Sequence, residues 1–381
     1  MYKVYKTKTI LNIHKHCDGG WFWDKYSAFP YVGCEYGCTY CYSRDEKYNL
    51  HRASRDPEAI NFDDAFSEDI KVKEDAPELL RKALMNKPKD LIYLDSYQPI
   101  EAKYQYARRI LEVCLELGFP IFLNEKSPIL LRDLDILIRI SEKSYLNVGW
   151  SIITATDDEK QRAFEPKAPL VEARFKAMRQ LAENKIMTGT VFMPILPFIY
   201  DGKDDIESVV SNTKECGGQF VLDGGLTLWG YCKTYFYKAL KNYQPELVTK
   251  YDELYRNPKL LAEHEKQVHQ TVLKYCQKYN LSAYIPRPTN FYPEKLRVNK
   301  EIAEKFYLKA RELQFSGQDK YKEWAYRKAA WSLDDLRESV EDILQRKGMD
   351  GLARIEGIGK NLAKQIEEFV SSKKQTLKSN G

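Results

Sequence analysis

The chain has 381 residues, of which 60 are Lys or Arg and 55 are Asp or Glu, for a formal charge of +5. That length holds one domain of about 200–250 residues plus a smaller one, and the near balance of charge neither demands nor excludes a polyanionic partner. The longest apolar stretch, VFMPILPFIY at 191–200, falls short of the roughly 20 residues that cross a bilayer, and the opening MYKVYKTKTILNIHKH lacks a secretory leader's apolar run, so a cytoplasmic protein without a membrane span is predicted.

In chain order, the first predicted strand is FPYVG at 29–33, followed at once by Cys34, Cys38 and Cys41 in GCEYGCTYC. Further strands are predicted at 90–95, 120–124, 146–153, 187–193 and 219–223, where β-branched and aromatic residues cluster. Between them, apolar residues spaced three and four apart predict helices over 102–117, 129–141 and 170–184. Strand and helix in alternation imply a parallel sheet with right-handed crossovers. From about 29 to 230 the pattern predicts an α/β fold, a partial (β/α)6 barrel, whose reacting groups sit on loops leaving the C-terminal ends of the strands. The cysteine cluster occupies such a loop.

Residues 240–300 read as an extension, helical and then broken by the prolines of YIPRPTNFYP. We place a boundary at 300, giving a large domain over 1–300. A small all-α domain follows over 301–372, and the tail 373–381, within the polar run SSKKQTLKSNG (371–381), is expected to be disordered.

Eight cysteines are too sparse for a disulfide framework in a reducing compartment, and a cluster of three leaves one thiol over. Zinc would take a fourth ligand, for which His14, His16 or Cys17 could be offered, although zinc ligands usually come as two close pairs. A cubane iron–sulfur cluster has four irons that each need a terminal ligand, so three thiolates leave one iron open to an outside chelator.

The spacing C-x-x-x-C-x-x-C after the first strand of a partial barrel resembles the radical S-adenosylmethionine (SAM) superfamily. Several segments in order, FPYVGCEYGCTYCYSR, IKVKEDAPELL, YLDSYQPIEAKY, NEKSPILLRDLDIL, WSIIT, FEPKAPLVEARF and MPILPFIYD, are similar to its spore photoproduct lyase and DNA repair photolyase-like branch over residues 10–230. The resemblance implies a [4Fe–4S] cluster on Cys34, Cys38 and Cys41 whose open iron binds SAM. A cellular one-electron reductant then drives cleavage of SAM to a 5′-deoxyadenosyl radical that abstracts hydrogen from a substrate. It further implies that Tyr40 and Tyr42 line the SAM pocket and pass a hydrogen atom, the bland alternative being that they shield the cluster. Ser96, Lys126 and Ser151 fall where the family contacts SAM, and an ammonium can pair with the methionyl carboxylate. Glu165 and Arg174 match the family's Glu-Pro and later Arg, either as contacts to bound molecules or as an ion pair holding a loop. One departure stands out: the lyase carries a hydrogen-donating cysteine on its second strand, where this chain has Leu94.

The stretch 319–370 reads as short helices bracketing a turn at Gly357 and Gly359. Glycines let backbone approach a ligand closely, and the following helix presents free N–H groups, which makes a phosphate cradle. This segment resembles a helix-hairpin-helix domain, and AYRKAAWSLDDL is similar to the amino-terminal domain of DNA polymerase beta. The resemblance implies backbone contacts to DNA through Lys360 and Lys364, with Tyr326, Arg327 and Lys328 as further candidates. Gln365 stands where that polymerase domain has its Schiff-base lysine, and Glu356 where the hairpin usually has proline, so lyase chemistry at this domain is not implied. The expected activity is that of a radical SAM enzyme acting in DNA repair. The alternatives are an enzyme of the same type modifying RNA or a DNA-bound protein, and a non-enzymatic zinc or nucleic-acid adaptor.

Overall fold

Leu146, Val148 and Trp150 point from one face of a strand into a core shared with helices, so alternation places Asn147, Gly149 and Ser151 on the opposite face. The computed structural model, which describes residues 2–17, 21–45, 65–317 and 319–379, repeats this arrangement across six parallel strands. They are β1 (Tyr26–Ala28), β2 (Ile92–Leu94), β3 (Ile121–Glu125), β4 (Leu146–Ser151), β5 (Met187–Phe192) and β6 (Val221–Asp223). Each pairs in parallel with the strand before it, and Leu11–Ile13 closes the β1 edge as an antiparallel seventh strand. A doubly wound sheet reverses its strand order midway. This one does not, and the sequential order is that of a barrel wall.

The crossovers are helical: α1 (Ala76–Leu84), α2 (Tyr106–Leu117), α3 (Leu134–Lys143), α4 (Val171–Glu183) and α5 (Lys203–Glu215). Their apolar faces bury Leu80, Ile110, Leu137, Met178 and Val209 against the outer face of the sheet. The helix predicted over 102–117 is divided at Gln105, whose φ of 52° breaks it into Glu101–Tyr104 and α2. On the inner face, Gly149 leaves the room that Phe122 and Val191 fill, because a Cβ there would lie 2.6 Å from a Val191 methyl.

The first predicted strand needs correction. Residues Tyr31–Val32 pair antiparallel with Ile70–Lys73, which pairs in parallel with Tyr2–Tyr5 in a separate small sheet. The barrel strand lies just upstream, at Tyr26–Ala28. Pro30 has no N–H to give to a central strand; its carbonyl instead accepts from the Lys73 N–H at 2.9 Å.

The chain divides into two units, Met1–Ile13 with Tyr26–Ile285, and His14–Lys25 with Pro286–Gly381. A boundary at 300 therefore falls inside a helix of the second unit. That unit holds α6 (Glu294–Ser316), α7 (Lys320–Asp335), α8 (Val340–Ala353) and α9 (Lys360–Ser379). Its interior carries a buried ionic group in which Asp334 meets Arg287 and, at 2.9 Å, Lys300. The tail expected to be disordered from 373 is instead helical as far as Ser379, with the last two residues outside the described ones. No helix among the described residues is long and apolar enough to cross a membrane.

Candidate functional site

The cysteine loop leaves the C-terminal end of β1 and is held by backbone bonds. Gly33 takes φ +93°, and a Cβ there would sit 2.5 Å from the Phe66 carbonyl, the oxygen that accepts the Cys34 N–H at 2.9 Å. Two further bonds tie the loop to the FEPK segment: Thr39 N–H to the Phe164 carbonyl at 2.9 Å, and Lys167 N–H to the Tyr36 carbonyl at 3.1 Å. Arg44 is buried beneath it, donating from Nε to the Cys38 carbonyl at 2.9 Å and to Ser67 Oγ at 3.1 Å. Its guanidinium lies 4.3 Å from the Tyr235 ring centre.

Cys34, Cys38 and Cys41 form no disulfide, and they pack in or against an apolar cluster with Tyr36, Tyr40, Phe164 and Phe236. Burial pushes the Cys38 thiol up to about 12 and raises Cys34 and Cys41 as well, with neighbouring thiols adding to the rise at Cys34 and Cys38. Three thiols near enough to act on one another's ionisation, in a largely apolar surround, offer a donor set that a bound metal would deprotonate outright. Among the described residues no three His, Cys, Asp or Glu side chains gather around one point as a single ion requires. A cubane takes its thiolates at separate corners, and the residues present fit that group.

Beside the thiols, the ends of β3 and β4 and the FEPK segment build a buried charge network. Lys126 Nζ donates to Ser151 Oγ, stands 3.2 Å from Glu165 Oε1 and lies 5.8 Å from the Tyr40 ring centre. Glu165 also accepts from the Tyr40 hydroxyl, from Gln161 Nε2 at 2.9 Å, and from Arg174. Burial alone would lift the Glu165 carboxyl; the charges of Arg174 and Lys126 outweigh it and hold the group far below the ordinary carboxylate range. Arg174 is 0 % exposed, and its remaining donors reach the Ser151 carbonyl at 2.9 Å and the Pro169 carbonyl at 2.7 Å. Glu165 and Arg174 thus form a buried ion pair, both side chains 0 % exposed.

The other candidates separate by environment. Ser96 is buried with its N–H on Glu125 at 2.8 Å, while its Oγ has no hydrogen-bond partner. Tyr40 is buried, whereas Tyr42 is 51 % exposed, close enough to Tyr93 to raise the latter's phenol. Leu94 packs into the core on the helix side of the sheet, so the lumen-facing neighbours at that strand end are Tyr93 and Asp95.

Asp95 and Glu125 were not singled out from the sequence. Asp95 stands open to the mouth yet hemmed in by protein, and desolvation lifts it to about 6 against the pull of Lys126. Glu125 is buried and raised well above its usual range by desolvation and by Asp95. A partnerless Oδ1 of Asn124 lies at the same strand end. Among the remaining cysteines, Cys114 is a buried helix residue, and Cys232 gives its thiol to the Thr227 carbonyl at 3.0 Å within electrostatic range of Cys41. His14, His16 and Cys17 belong to the second unit; His14 pairs with Asp24 at 3.1 Å, and His16 stacks on Trp331 at 4.2 Å.

In the second unit, Gly357 takes φ +74° and packs on α7, where an added Cβ would lie 3.4 Å from Lys328. Gly359 faces open space at the start of α9, whose first residue is Lys360. Arg327 is bonded to Glu323 and Gln314, and Lys364 is 3.9 Å from Glu368. The Tyr326 hydroxyl reaches Gln365 Oε1 at 3.2 Å.

Residues 297–375 match the family model of a helix-hairpin-helix domain. An uncharacterised protein of Mycobacterium tuberculosis, Rv2578c, is 25 % identical over 265 residues, covering 68 % of this chain and 75 % of its own length. An uncharacterised protein of Methanocaldococcus jannaschii, MJ0683, is 29 % identical over 196 residues, 50 % of this chain and 66 % of its own. Among solved structures the chain is similar to spore photoproduct lyase complexed with dinucleoside spore photoproduct (13 % identity, TM-score 0.49, 73 % of this chain and 79 % of that one). It is also similar to Streptococcus suis SuiB bound to S-adenosylmethionine (15 % identity, TM-score 0.38, 59 % of this chain and 47 % of that one).

Proposed function

We propose that this protein is a radical SAM enzyme acting on damaged or modified nucleic acid, in the manner of a DNA repair lyase. The reading rests on one observation: the three thiols of the C-x-x-x-C-x-x-C loop pack in or against one apolar cluster, on the loop that follows the first strand of a sequential six-stranded parallel sheet. Cys34, Cys38 and Cys41 would hold a [4Fe–4S] cluster with one iron left open. Bound there, the cluster supplies an electron from a cellular reductant to the sulfonium of SAM.

The chain's own groups then have distinct tasks. Lys126 offers an ammonium to a carboxylate, and the free Oγ of Ser96 and the hydroxyl of Ser151 are positioned for ribose or amine groups. Asp95, open to the mouth, offers a carboxylate to an ammonium. Glu165 and Arg174 are positioning residues that fix Tyr40 and Lys126 and keep water from beneath the thiols. Tyr42, 51 % exposed, would contact the substrate. The second unit, through Gly357, Gly359, Lys360 and Lys364, contacts backbone phosphate without reading bases.

Anaerobic reconstitution tests this. The protein is expected to turn brown, to bind about four irons with sulfide, and to release 5′-deoxyadenosine on reduction, faster with lesion-bearing DNA than without. A colourless, zinc-bearing protein that leaves SAM intact would refute it. SAM cleavage stimulated by RNA or by a DNA-bound protein, with lesion DNA inert, would keep the chemistry and replace the substrate.

A further inference from the structure

One cation is folded back under the cysteine loop itself. The Arg44 N–H donates to the Cys41 carbonyl at 3.2 Å and its Nε to the Cys38 carbonyl at 2.9 Å, so the residue closes the turn that carries two of the three thiols. Arg44 is 3 % exposed. Its guanidinium lies 5.2 Å from the Phe66 ring centre and 4.3 Å from that of Tyr235. Tyr235 and Cys232 both belong to the helix Gly230–Tyr243, which brings Cys232 into the field of Cys41 and Arg44.

A strut alone would not need a charge. The Cys38 carbonyl and the Ser67 hydroxyl can be met by a neutral donor, and taking a guanidinium out of water is costly, a penalty the two rings offset in part. The charge is felt at Cys41. Burial raises that thiol, and among the effects that pull it back Arg44 is the largest, against a further rise from Asp95. At Cys38 the cations in reach are Lys126 and Arg174, and both already face Glu165. The thiols carry no charge until a metal takes their protons. With a cluster bound, the thiolates place negative charge beside the guanidinium, and reduction adds more.

We propose that the buried charge of Arg44 favours the reduced state of a [4Fe–4S] cluster held by Cys34, Cys38 and Cys41, and so raises the potential at which a cellular one-electron reductant can load it. This rests on the reading that the loop holds such a cluster. The step moves one electron and no proton: the reductant is oxidised, the cluster is reduced, and its negative charge grows. A fixed positive charge nearby stabilises the more negative of two states, and net charge and solvent exposure are among the features that set cluster potentials. Arg44 acts through the cluster, as a positioning residue.

The test uses the full-length protein, reconstituted with iron and sulfide in the absence of oxygen and SAM, and reads the midpoint potential from the EPR signal of the reduced cluster during a dithionite titration. Arg44→Gln keeps a donor and removes the charge; Arg44→Lys keeps the charge and loses the planar fork. At the wild-type midpoint the ratio of reduced to oxidised cluster in Arg44→Gln should fall about tenfold, a downward shift of about 59 mV for one electron, and Arg44→Lys should recover at least about half of it. Lys233→Gln, which removes an exposed charge from the helix that carries Tyr235, should leave the potential where it is, because solvent screens that charge. Full iron in Arg44→Gln at an unchanged potential overturns the proposal and leaves the cluster standing, as does an equal shift in Arg44→Lys or in Lys233→Gln. A wild type that takes up no iron overturns the cluster reading and this proposal with it. Should Arg44→Gln lose its iron, Arg44→Lys decides: iron retained near the wild-type potential assigns the role to the charge, whereas iron lost from both variants makes Arg44 a strut and overturns the proposal.

Discussion

Replacing Glu165 by glutamine keeps the side chain's shape and removes its charge from a place where three groups depend on it. Arg174 is 0 % exposed and, among the described residues, meets no carboxylate but Glu165, while Lys126, at 14 % side-chain exposure, can turn toward the mouth. The variant therefore strands a buried guanidinium, a loss of about 3–5 kcal/mol. For a unit of this size each kcal/mol moves the melting temperature by about 2–4 °C, so a fall of roughly 6–20 °C is expected in the unfolding of the first unit. Arg174→Met should cost less on charge grounds, because Lys126, Gln161 and Tyr40 still face the carboxylate, though the Ser151 and Pro169 carbonyls lose their donor. Glu165→Gln/Arg174→Met removes both charges together. It should be less destabilised than the two single losses added, with a coupling of at least about 2 kcal/mol. Thermal melts of iron-free protein, followed by circular dichroism with the two units' transitions fitted separately, read all three numbers. A Glu165→Gln variant melting within about 2 °C of the wild type, or a double variant whose loss equals the sum, would refute the assignment of this pair as the strut beneath the loop.

Alanine at Cys34, Cys38 or Cys41 should each abolish the brown colour and most bound iron after reconstitution, whereas Cys232→Ala should retain both; iron lost equally from Cys232→Ala would make that thiol a fourth ligand and close the open corner. Gly33→Ala forces a side chain into φ +93° and against the Phe66 carbonyl, and should destabilise by more than about 2 kcal/mol in a chemical melt; an unperturbed variant would show that the loop can shift. In the second unit, burial would raise Asp334 but Arg287 and Lys300 outweigh it and hold the carboxyl below its usual value. A depressed folded-state pKa stabilises above the unfolded value near 3.9 and is lost as pH falls through the folded one. Acid titration of that unit's melt should accordingly show stability holding to about pH 4 and falling below it, and Asp334→Asn should melt lower at pH 7 while losing that acid step.

Clusters of β-branched and aromatic residues were enough to place five of the six barrel strands, because strands buried on both faces read as near-continuous runs. The sixth was misplaced by three to five residues since Phe29, Tyr31 and Val32 look equally strand-like; what decided between them was the missing N–H of Pro30, which only matters once a neighbouring strand demands it. Cys34, Cys38 and Cys41 were legible because their spacing is local. Arg44 was not, as an arginine beside a cysteine loop looks like a solvated charge until Tyr235, almost 200 residues on, supplies the ring it stacks against. Asp95 and Glu125 were missed for a related reason. Asp95 follows β2 and Glu125 ends β3, positions where an acidic residue normally meets water, and only the side-by-side pairing of β2 with β3 brings them together and beside Lys126. Two neighbouring carboxyls that burial lifts, Glu125 further by the charge of Asp95, cannot both keep an ordinary charge. The arrangement favours one proton or one further cation, and a ligand carrying an ammonium and a carboxylate together would satisfy Asp95 and Lys126 at once, which is the charge pattern of an amino acid.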